Sequence, residues 1–198
     1  MRPFSEACEQ NKNPILAVLR TVFATHKKVL EIGSGTGQHA VYFGHHLPHL
    51  LWQTSDLPEN HAGIRSWIDE AGIDNVLAPL VLDVASAHWP IDSVDAVFSA
   101  NAIHIMSWNH VVKMFAGIGQ VLDIGGTLCL YGPFNYGGKF TSASNAQFDA
   151  WLKKRDPLSG VRNFEDVNTL ARAQGLDLVK DYAMPANNRT LVWERVTS

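Results

Sequence analysis

The residues best suited to chemistry stand where a short apolar run meets a glycine-rich loop. Residues 29–37 read Val-Leu-Glu-Ile-Gly-Ser-Gly-Thr-Gly. The apolar run predicts a strand buried in a parallel sheet, and the glycines allow a tight turn and a close approach of the backbone to a ligand. A helix predicted over residues 37–46 would direct its N-terminal amide groups toward that ligand. This order of elements indicates a loop that binds a nucleotide-like cofactor; a plain glycine turn is the alternative.

The spacing of the glycines separates two classes of cofactor. A dinucleotide loop has the pattern Gly-x-Gly-x-x-Gly, which requires a glycine where this chain has Gln38. The observed Gly-x-Gly-x-Gly, with Glu31 two residues ahead of it, resembles motif I of the class I S-adenosylmethionine-dependent methyltransferases. The resemblance implies that the loop packs against the methionine part of S-adenosylmethionine and that the carboxylate helps to hold its cationic amino group. The loop residues implied in cofactor binding are Glu31, Gly33, Ser34, Gly35 and Gly37.

Two aspartates that follow later predicted strands extend the same cofactor site. Asp56 is well placed to accept hydrogen bonds from both ribose hydroxyls, with Leu57 beside it. The resemblance implies that Asp83 accepts the adenine amino group and that the backbone amide of Val84 reaches a ring nitrogen. Each aspartate also suits a structural role, Asp56 as a helix cap and Asp83 as a turn residue.

Candidate catalytic residues follow the next two predicted strands. The resemblance places Asn101, a candidate cofactor-binding residue, near the methyl donor and the acceptor. His104 is a candidate general base because an unperturbed imidazole titrates close to neutrality, and a packing role is the alternative. Tyr131 and Tyr136 are the other two candidates for catalysis.

The stretch over residues 132–163 is predicted to be an insertion on the acceptor side of the site. Phe134 and Asn135 stand at its start and are candidates for contact with the acceptor. Arg155 and Arg162 are candidates for binding an anionic acceptor, because a guanidinium group matches a carboxylate or a phosphate bidentately. The alternative is an internal arginine–aspartate pair that holds the loop.

Three longer blocks narrow the resemblance. They cover residues 5–16, 99–105 and 131–162, and Tyr-Gly-Pro-Phe and Arg-Asp-Pro-x-x-Gly-x-Arg are their most distinctive parts. The blocks resemble methyltransferase-like protein 26 and its bacterial relatives. The resemblance extends over essentially the whole chain and implies the class I fold, without implying a substrate.

The N-terminal block contains both a match to this family and a departure from it. Asn11 matches, which implies that it lines the cofactor pocket. Gln10 stands where the family commonly has an arginine, so no role of that arginine is carried over. We expect residues 1–26 to form a helical cover on a single domain of residues 1–198.

Alternating strand and helix patterns predict an α/β fold. With the resemblance, they indicate a Rossmann-like class I methyltransferase fold: a seven-stranded mostly parallel sheet with an antiparallel last strand and helices on both faces. The last two strands are predicted to pair antiparallel because their connection is too short for a parallel crossover. The strands after the first are predicted over residues 50–56, 79–84, 94–99, 127–131, 177–184 and 190–196. The helices besides the one after the glycine loop are predicted to start at Asn13-Pro14 and to cover residues 59–71, 107–122, 145–154 and 164–174.

Composition and charge argue against several classes of protein. The chain has 198 residues and a hydrophobic content of 46%, which suit one well-buried domain. A net charge of −3 without a long basic run argues against nucleic-acid binding. No segment approaches membrane-spanning length, no signal-peptide core is seen, and the histidines lack the companions of a metal site. The sequence therefore predicts a cytoplasmic enzyme without a metal.

These patterns together predict transfer of a methyl group from S-adenosylmethionine to an oxygen, nitrogen or sulfur atom of a small molecule. Such a transfer is an in-line displacement, so alignment and desolvation can supply most of the rate. Two other interpretations remain. One is a catalytically silent S-adenosylmethionine-binding or interaction protein, and the other is an NAD(P)-dependent oxidoreductase, against which Gln38 counts.

Overall fold

A seven-stranded sheet forms the centre of the molecule, which the computed structural model describes over residues 2–197. The strands in this part of the chain are β1 (Lys28–Ile32), β2 (Leu51–Asp56), β3 (Val76–Val81), β4 (Val94–Ala100), β5 (Leu122–Gly132), β6 (Phe134–Asn135), β7 (Arg162–Asn163), β8 (Leu176–Met184) and β9 (Asn188–Arg195). The α-helices are α1 (Glu6–Val22), α2 (Gln38–His46), α3 (His61–Ala71), α4 (Trp108–Val121), α5 (Ala143–Arg155) and α6 (Phe164–Ala173).

The strand order in the sheet is β3-β2-β1-β4-β5-β9-β8, and the short strands β6 and β7 pair separately. Strands β1 to β5 run parallel, whereas β9 is antiparallel to both of its neighbours, β5 and β8. The order reverses between β1 and β4, which creates a crevice at the carboxyl ends of these strands. The topology confirms the predicted α/β fold class, including the antiparallel last strand.

Helices cover both faces of this sheet. On one face Leu19 of α1 and Phe43 of α2 pack in one hydrophobic cluster, and on the other Phe115 of α4 packs in a second. Val29 and Leu30 are neighbours in β1 and are both buried, but they belong to different clusters. The strand is therefore buried on both sides, as its continuous apolar run predicts.

The first helix begins earlier than predicted, so the prediction of a start at Asn13 and Pro14 is wrong. α1 begins at Glu6 because the Ser5 hydroxyl accepts a hydrogen bond from the backbone N–H of Cys8 (3.3 Å) and caps the helix. Pro14 lies inside the helix, where it has no N–H to donate to the preceding turn. The helix therefore has about two more N-terminal turns than predicted.

The third strand is also shifted from its predicted bounds of 79–84. β3 begins at Val76 and ends at Val81, so Asp83 lies in the loop beyond it. Pro79 stands inside the strand and not at its start, which is tolerated because β3 is at the edge of the sheet. Asp83, whose carboxylate was expected at the end of the strand, therefore lies in the turn that follows it.

The fifth strand starts directly after α4, at Leu122, and not at Thr127 as predicted. The glycine pair 125–126 lies inside the strand. Gly125 has a positive φ of 79°, and the register with β4 shifts in this region. The glycines therefore produce an irregularity in a continuous strand. The other predicted elements agree with the structure to within two residues at each end.

Within residues 2–197, every helix is too short or too polar to cross a membrane.

Candidate active site

A cavity of about 1310 Å³ lies at the carboxyl ends of β1, β2 and β4, where the strand order reverses. Its wall includes the N-terminal turns of α1, the glycine loop after β1 and residues of α5. Sites for one drug-sized ligand measure about 300–1000 Å³. The cavity is larger, so it has room for a cofactor and a second molecule.

The structure brings most of the predicted site residues together around this cavity. Those that line it are Asn11, Gly33, Ser34, Gly35, Asp56, Leu57, Asp83, Val84, Asn101, His104, Tyr131 and Arg155. Those that lie outside its lining are Glu31, Gly37, Phe134, Asn135, Tyr136 and Arg162.

The glycine loop is fixed to β2 by hydrogen bonds. The backbone N–H groups of Gly33 and Ser34 both donate to the carbonyl of Ser55, at 3.1 and 3.0 Å. The N–H of Gly35 donates to a carboxylate oxygen of Asp56 at 2.7 Å. Gly33 and Gly35 have φ values of +75° and +58°, which favour glycine. The loop thus presents its backbone to the cavity in a fixed conformation.

Glu31 lies beneath this loop and is buried, with 2% of its surface exposed. One of its carboxylate oxygens accepts hydrogen bonds from the Ser34 hydroxyl (2.8 Å) and the Trp52 indole N–H (3.1 Å). Burial raises the pKa of Glu31 to about 7, and the two hydrogen bonds partly oppose this shift. In this geometry Glu31 acts on the cavity through Ser34, which lies in the lining.

The carboxylate of Asp56 joins the end of β2 to the loop and to the following turn. One oxygen accepts from the N–H of Gly35, and the other accepts from the N–H of Leu57 (2.7 Å) and the side-chain amide of Asn60 (2.8 Å). A carboxylate has about four acceptor positions. About one position therefore stays open to a ligand hydroxyl while the other three fix the side chain, so the carboxylate has room for one of the two ribose hydroxyls expected from the sequence.

Asp83 is exposed and lies in the lining on the side of β3. Its side chain accepts a hydrogen bond from the N–H of Ala85 (2.8 Å). Asp83 therefore has the structural role of a turn residue, which was the alternative to binding adenine. Val84 is buried beside it and also lines the cavity. A turn role and contact with a ligand are compatible here, because only one oxygen is engaged.

Asn101 has a strained backbone at the end of β4. Its φ is +56°, in the left-handed region that few residues other than glycine adopt. Its N–H donates to the carbonyl of Tyr131 (2.9 Å), which ties the ends of β4 and β5 together. The strain stands at the centre of the cavity wall, where strained residues of functional sites cluster.

His104 is buried in the same wall, with 3% of its surface exposed. Burial, and secondarily the positive charge of Arg162, lower the pKa of His104 to about 4. The imidazole is therefore neutral at pH 7 and can accept a proton, but it is a weak base. Its ring meets the edge of Phe148 at a centroid distance of 5.2 Å.

The two candidate tyrosines lie in different surroundings. Tyr131 lines the cavity, and its pKa is raised by burial, although Asn11 and Asn188 favour the ionised form. Tyr136 lies outside the lining and donates a hydrogen bond to the carboxylate of Asp181 (2.7 Å). Burial and this hydrogen bond raise the pKa of Tyr136.

The candidate arginines also differ. Arg162 lies outside the lining and donates to three backbone carbonyls, those of Ile103 (3.1 Å), Leu158 (2.9 Å) and Met106. Arg162 therefore holds the segment after β4 and the turn after α5 together through backbone carbonyl groups, and not through the arginine–aspartate pair given as the alternative. Arg155 lines the cavity, and its guanidinium lies over the ring of Trp151 in the same helix.

Phe134 and Asn135 form β6, which pairs with β7. Phe134 is buried in the hydrophobic core, with 1% exposure. Both are held in the protein interior, away from the cavity lining.

Several lining residues were missed because they come from the part of α1 that the sequence pattern did not predict. Gln38, the residue in place of the third dinucleotide glycine, connects this part to the loop. Its side-chain oxygen accepts from the N–H of Ser5 and the hydroxyl of Thr36, and its nitrogen donates to the carbonyl of Ser5 (3.4 Å). Gln38 thus holds the start of α1 against the loop. The missed lining residues of this segment are Ser5, Ala7, Cys8 and Gln10, and Pro14, inside the predicted helix, also lines the cavity.

His39 was also missed, although it stands in the first turn of the helix after the loop, a position that such loops direct at the ligand. One ring nitrogen lies 2.6 Å from the side-chain oxygen of Asn11, and the other lies 3.9 Å from the sulfur of Cys8. Burial lowers the pKa of His39 to about 4. The neutral ring therefore positions Asn11 at the cavity wall.

The buried histidines predict a dependence of stability on pH. His39 and His104 have pKa values lowered to about 4 from 6.5, so the unfolded chain binds protons that the native protein does not bind between these pH values. Stability should fall as pH decreases through this window. In His39→Gln, the slope of the unfolding free energy against pH should decrease by about 1 kcal/mol per pH unit near pH 5, measured by urea unfolding.

This measurement has one control variant, and Glu31 contributes to the same pH dependence. His88→Gln, at an exposed position, should leave the slope unchanged. Glu31 acts with the opposite sign, because its pKa is raised from 4.5 to about 7 and its contribution to stability is lost as pH rises through that range. An unchanged slope in His39→Gln would mean that the native protein protonates this ring.

Among residues 2–197, no group of three or more His, Cys, Asp or Glu side chains is arranged to hold a metal ion.

Comparison with known proteins gives a family match and a set of structural matches. A family model described as "Protein of unknown function (DUF938)" matches residues 2–195. An O-methyltransferase family protein from Burkholderia thailandensis matches with 17% identity and a TM-score of 0.83, over 94% of this chain and 57% of that protein. The S-adenosylmethionine-dependent methyltransferase SibL matches with 21% identity and a TM-score of 0.81, over 96% and 56%.

A third similar structure is an O-methyltransferase family 2 protein from Planctomyces limnophilus in complex with apigenin. It has 15% identity and a TM-score of 0.83, over 96% of this chain and 58% of that protein. At these identities the likeness establishes the Rossmann-like methyltransferase fold. The chain spans little more than half the length of each of these proteins.

Proposed function

We propose that this chain, which belongs to the family described as protein of unknown function DUF938, is an S-adenosylmethionine-dependent methyltransferase that acts on a small molecule. The observation that carries the proposal is the hydrogen bond from the Gly35 N–H to Asp56. It joins the motif I loop and the carboxylate expected to bind ribose into one preorganised wall. The fold shared with methyltransferases supports the same conclusion.

The residues of the cavity fit S-adenosylmethionine. A Cβ atom built at Gly35 meets no atom within 4 Å, so the loop leaves open space where the methionine part would lie. We assign Gly33, Ser34 and Gly35 to the methionine part, Asp56 to the ribose, and Asp83 with the Val84 amide to the adenine. Glu31 supports Ser34 from below, and Gly37 and Leu57 shape the loop and the turn that follow. When bound, the cofactor supplies an electrophilic methyl group on its sulfonium sulfur, and S-adenosylhomocysteine, a neutral thioether, is the leaving group.

The protein's own contribution is to hold and desolvate the reactants. Helix α1, held by Gln38, covers the loop and excludes water, and Asn11 belongs to this cover. Asn101, His104 and Tyr131 line the wall between cofactor and acceptor. The neutral His104 can accept a hydrogen bond from an acceptor hydroxyl, and the proton lost by the acceptor passes to this ring or to water. Tyr136 is assigned a supporting role through Asp181.

The proposal is tested by thermal unfolding with S-adenosylhomocysteine or NAD. At a concentration 100 times the Kd, a ligand stabilises the native state by about 2.7 kcal/mol. For a chain of this size we expect S-adenosylhomocysteine to raise the Tm by about 5–10 °C and NAD to leave it unchanged. Stabilisation by NAD alone would overturn the proposal in favour of an oxidoreductase.

Turnover is measured separately, as S-adenosylhomocysteine formed from S-adenosylmethionine in the presence of a small-molecule extract. Formation that depends on the extract is expected for a methyltransferase. Binding without formation from any fraction of the extract would favour the catalytically silent alternative.

A further inference from the structure

One face of α5 forms a part of the cavity wall that is separate in sequence from the cofactor loop. Its lining residues follow the helical repeat: Asn145, Phe148, Leu152 and Arg155, with Trp151 beside them. The segment after β4 completes this wall with Ile105 and Met106, and His110 of α4 adds a polar edge. These residues come from α5, α4 and the segment after β4, whereas Asp56 ends β2 and Asp83 follows β3.

The wall is apolar and aromatic. Phe148 and Trp151 stack with a centroid distance of 5.8 Å and an interplanar angle of 15°. Trp151 is 51% exposed and Ile105 is 52% exposed, so both side chains keep apolar surface that a ligand could cover. A planar ring placed on this surface would bury it. Phe148 also meets His104, so such a ring would reach the wall shared with the cofactor.

The charges of the lining are separated. Asp56 and Asp83 are assigned to the nucleoside. Among the described residues that line the cavity, Arg155, at the end of α5, is the only arginine or lysine. In the described part of the chain, the ion pairs do not include Arg155, whose guanidinium lies over the Trp151 ring at 5.0 Å. The neighbouring Asp156 accepts from the N–H of Leu158 (2.9 Å) within its own turn. The guanidinium is thus exposed and available for an anion.

The spacing of these groups suits one ligand. Arg155 follows Trp151 by one helical turn, which corresponds to about 6 Å along the axis. A carboxylate carried on an aromatic ring or on a short arm, together with its hydrogen bond of about 2.8 Å to a guanidinium, can span this distance. A guanidinium that stacks on an aromatic ring still presents its N–H donors at its edge.

We propose that the acceptor is a planar aromatic molecule with an anionic group, its ring on Phe148 and Trp151 and its anion on Arg155. The inference rests on the proposed methyltransferase function and names its substrate class. Recognition of the anion should contribute as a charge-assisted hydrogen bond, so its loss should weaken binding about 10- to 100-fold.

The test measures binding of aromatic acids and of their neutral amides by titration calorimetry, with and without saturating S-adenosylhomocysteine. Salicylate is paired with salicylamide, and gallate with gallamide. We expect at least one acid to bind about 10-fold more tightly than its amide, and Arg155→Gln to remove this preference while leaving the affinity for the amide unchanged. Lys154→Gln, at the exposed neighbouring position outside the cavity, is the control and should keep the preference.

The outcomes separate the inference from the function on which it rests. The affinity of Arg155→Gln for S-adenosylhomocysteine should equal that of the wild type. Failure of the wild type to bind S-adenosylhomocysteine would contradict the proposed function, whatever the acids do. Equal binding of acid and amide in both pairs, no binding of either acid, or equal effects of Arg155→Gln and Lys154→Gln would overturn the aromatic acid as the substrate class.

Discussion

Asp56→Ala is expected to lower the affinity for S-adenosylhomocysteine by about 100-fold or more. The carboxylate fixes the N–H of Gly35, the N–H of Leu57 and the side chain of Asn60, and it is the proposed acceptor for a ribose hydroxyl. Each hydrogen bond to a charged group contributes about 1.5–3 kcal/mol. The substitution removes the bond to the ligand and frees the loop that must present its backbone to the ligand.

Titration calorimetry with S-adenosylhomocysteine measures this effect. Asp56→Asn keeps one acceptor oxygen and loses the charge, so its affinity should lie between those of the wild type and the alanine variant. Asp69→Ala is the matched control, because this exposed carboxylate on α3 lies outside the cavity and its loss changes the net charge equally. Wild-type affinity in Asp56→Ala would remove Asp56 from the site. Equal losses in Asp56→Ala and Asp69→Ala would indicate a general charge effect.

The fold could be predicted because its signals are local. The buried strand before Gly33 has the composition that a parallel sheet requires, and the short connection after Met184 leaves only an antiparallel return for β9. The first helix was mispredicted because its sequence contains two possible starts. Ser5 caps the observed start at Glu6 and is held there by Gln38, 33 residues away, whereas the capping signal at Asn13 and Pro14 lies inside the helix.

The cofactor half of the candidate site consists of one contiguous loop and of residues at or just after the ends of parallel strands. Their order in the sequence was therefore enough to predict that Gly35, Asp56 and Asp83 lie at one edge of the sheet. The acceptor half could not be read in the same way. Arg155 and Arg162 are equally plausible in the sequence, but packing directs Arg162 to the carbonyl of Ile103 and Arg155 to the cavity. A helical repeat from 145 to 155 is visible in the sequence, yet only the tertiary structure shows which face of α5 meets the cavity.

Gly37→Ala is expected to lower mainly the stability of the protein, and Gly35→Ala mainly its affinity for S-adenosylhomocysteine, because the two glycines are required for different reasons. Gly37 has a φ of +91° and lies outside the cavity lining, and a Cβ atom there would lie 3.0 Å from the backbone of Ile64 in α3. Backbone strain and this close contact with α3 should together lower the free energy of unfolding by about 2–4 kcal/mol. For a chain of this size that corresponds to a Tm lower by roughly 5–15 °C.

Gly35→Ala should cost only about 1 kcal/mol of stability, since its φ is +58° and its added methyl meets no atom within 4 Å. That methyl enters open space at a residue that lines the cavity. We therefore expect the affinity for S-adenosylhomocysteine to fall about 10-fold or more in Gly35→Ala. In Gly37→Ala, measured well below its Tm, the affinity should be closer to the wild-type value.

Urea unfolding and calorimetry on the same two preparations separate these effects. Equal stability losses would mean that α3 moves away from residue 37 at little cost, and that the loop requires a glycine at this position only because of its positive φ. Wild-type affinity in Gly35→Ala would mean that no ligand approaches the backbone there. The glycine spacing would then describe the packing of the loop against α3 and not the shape of a cofactor.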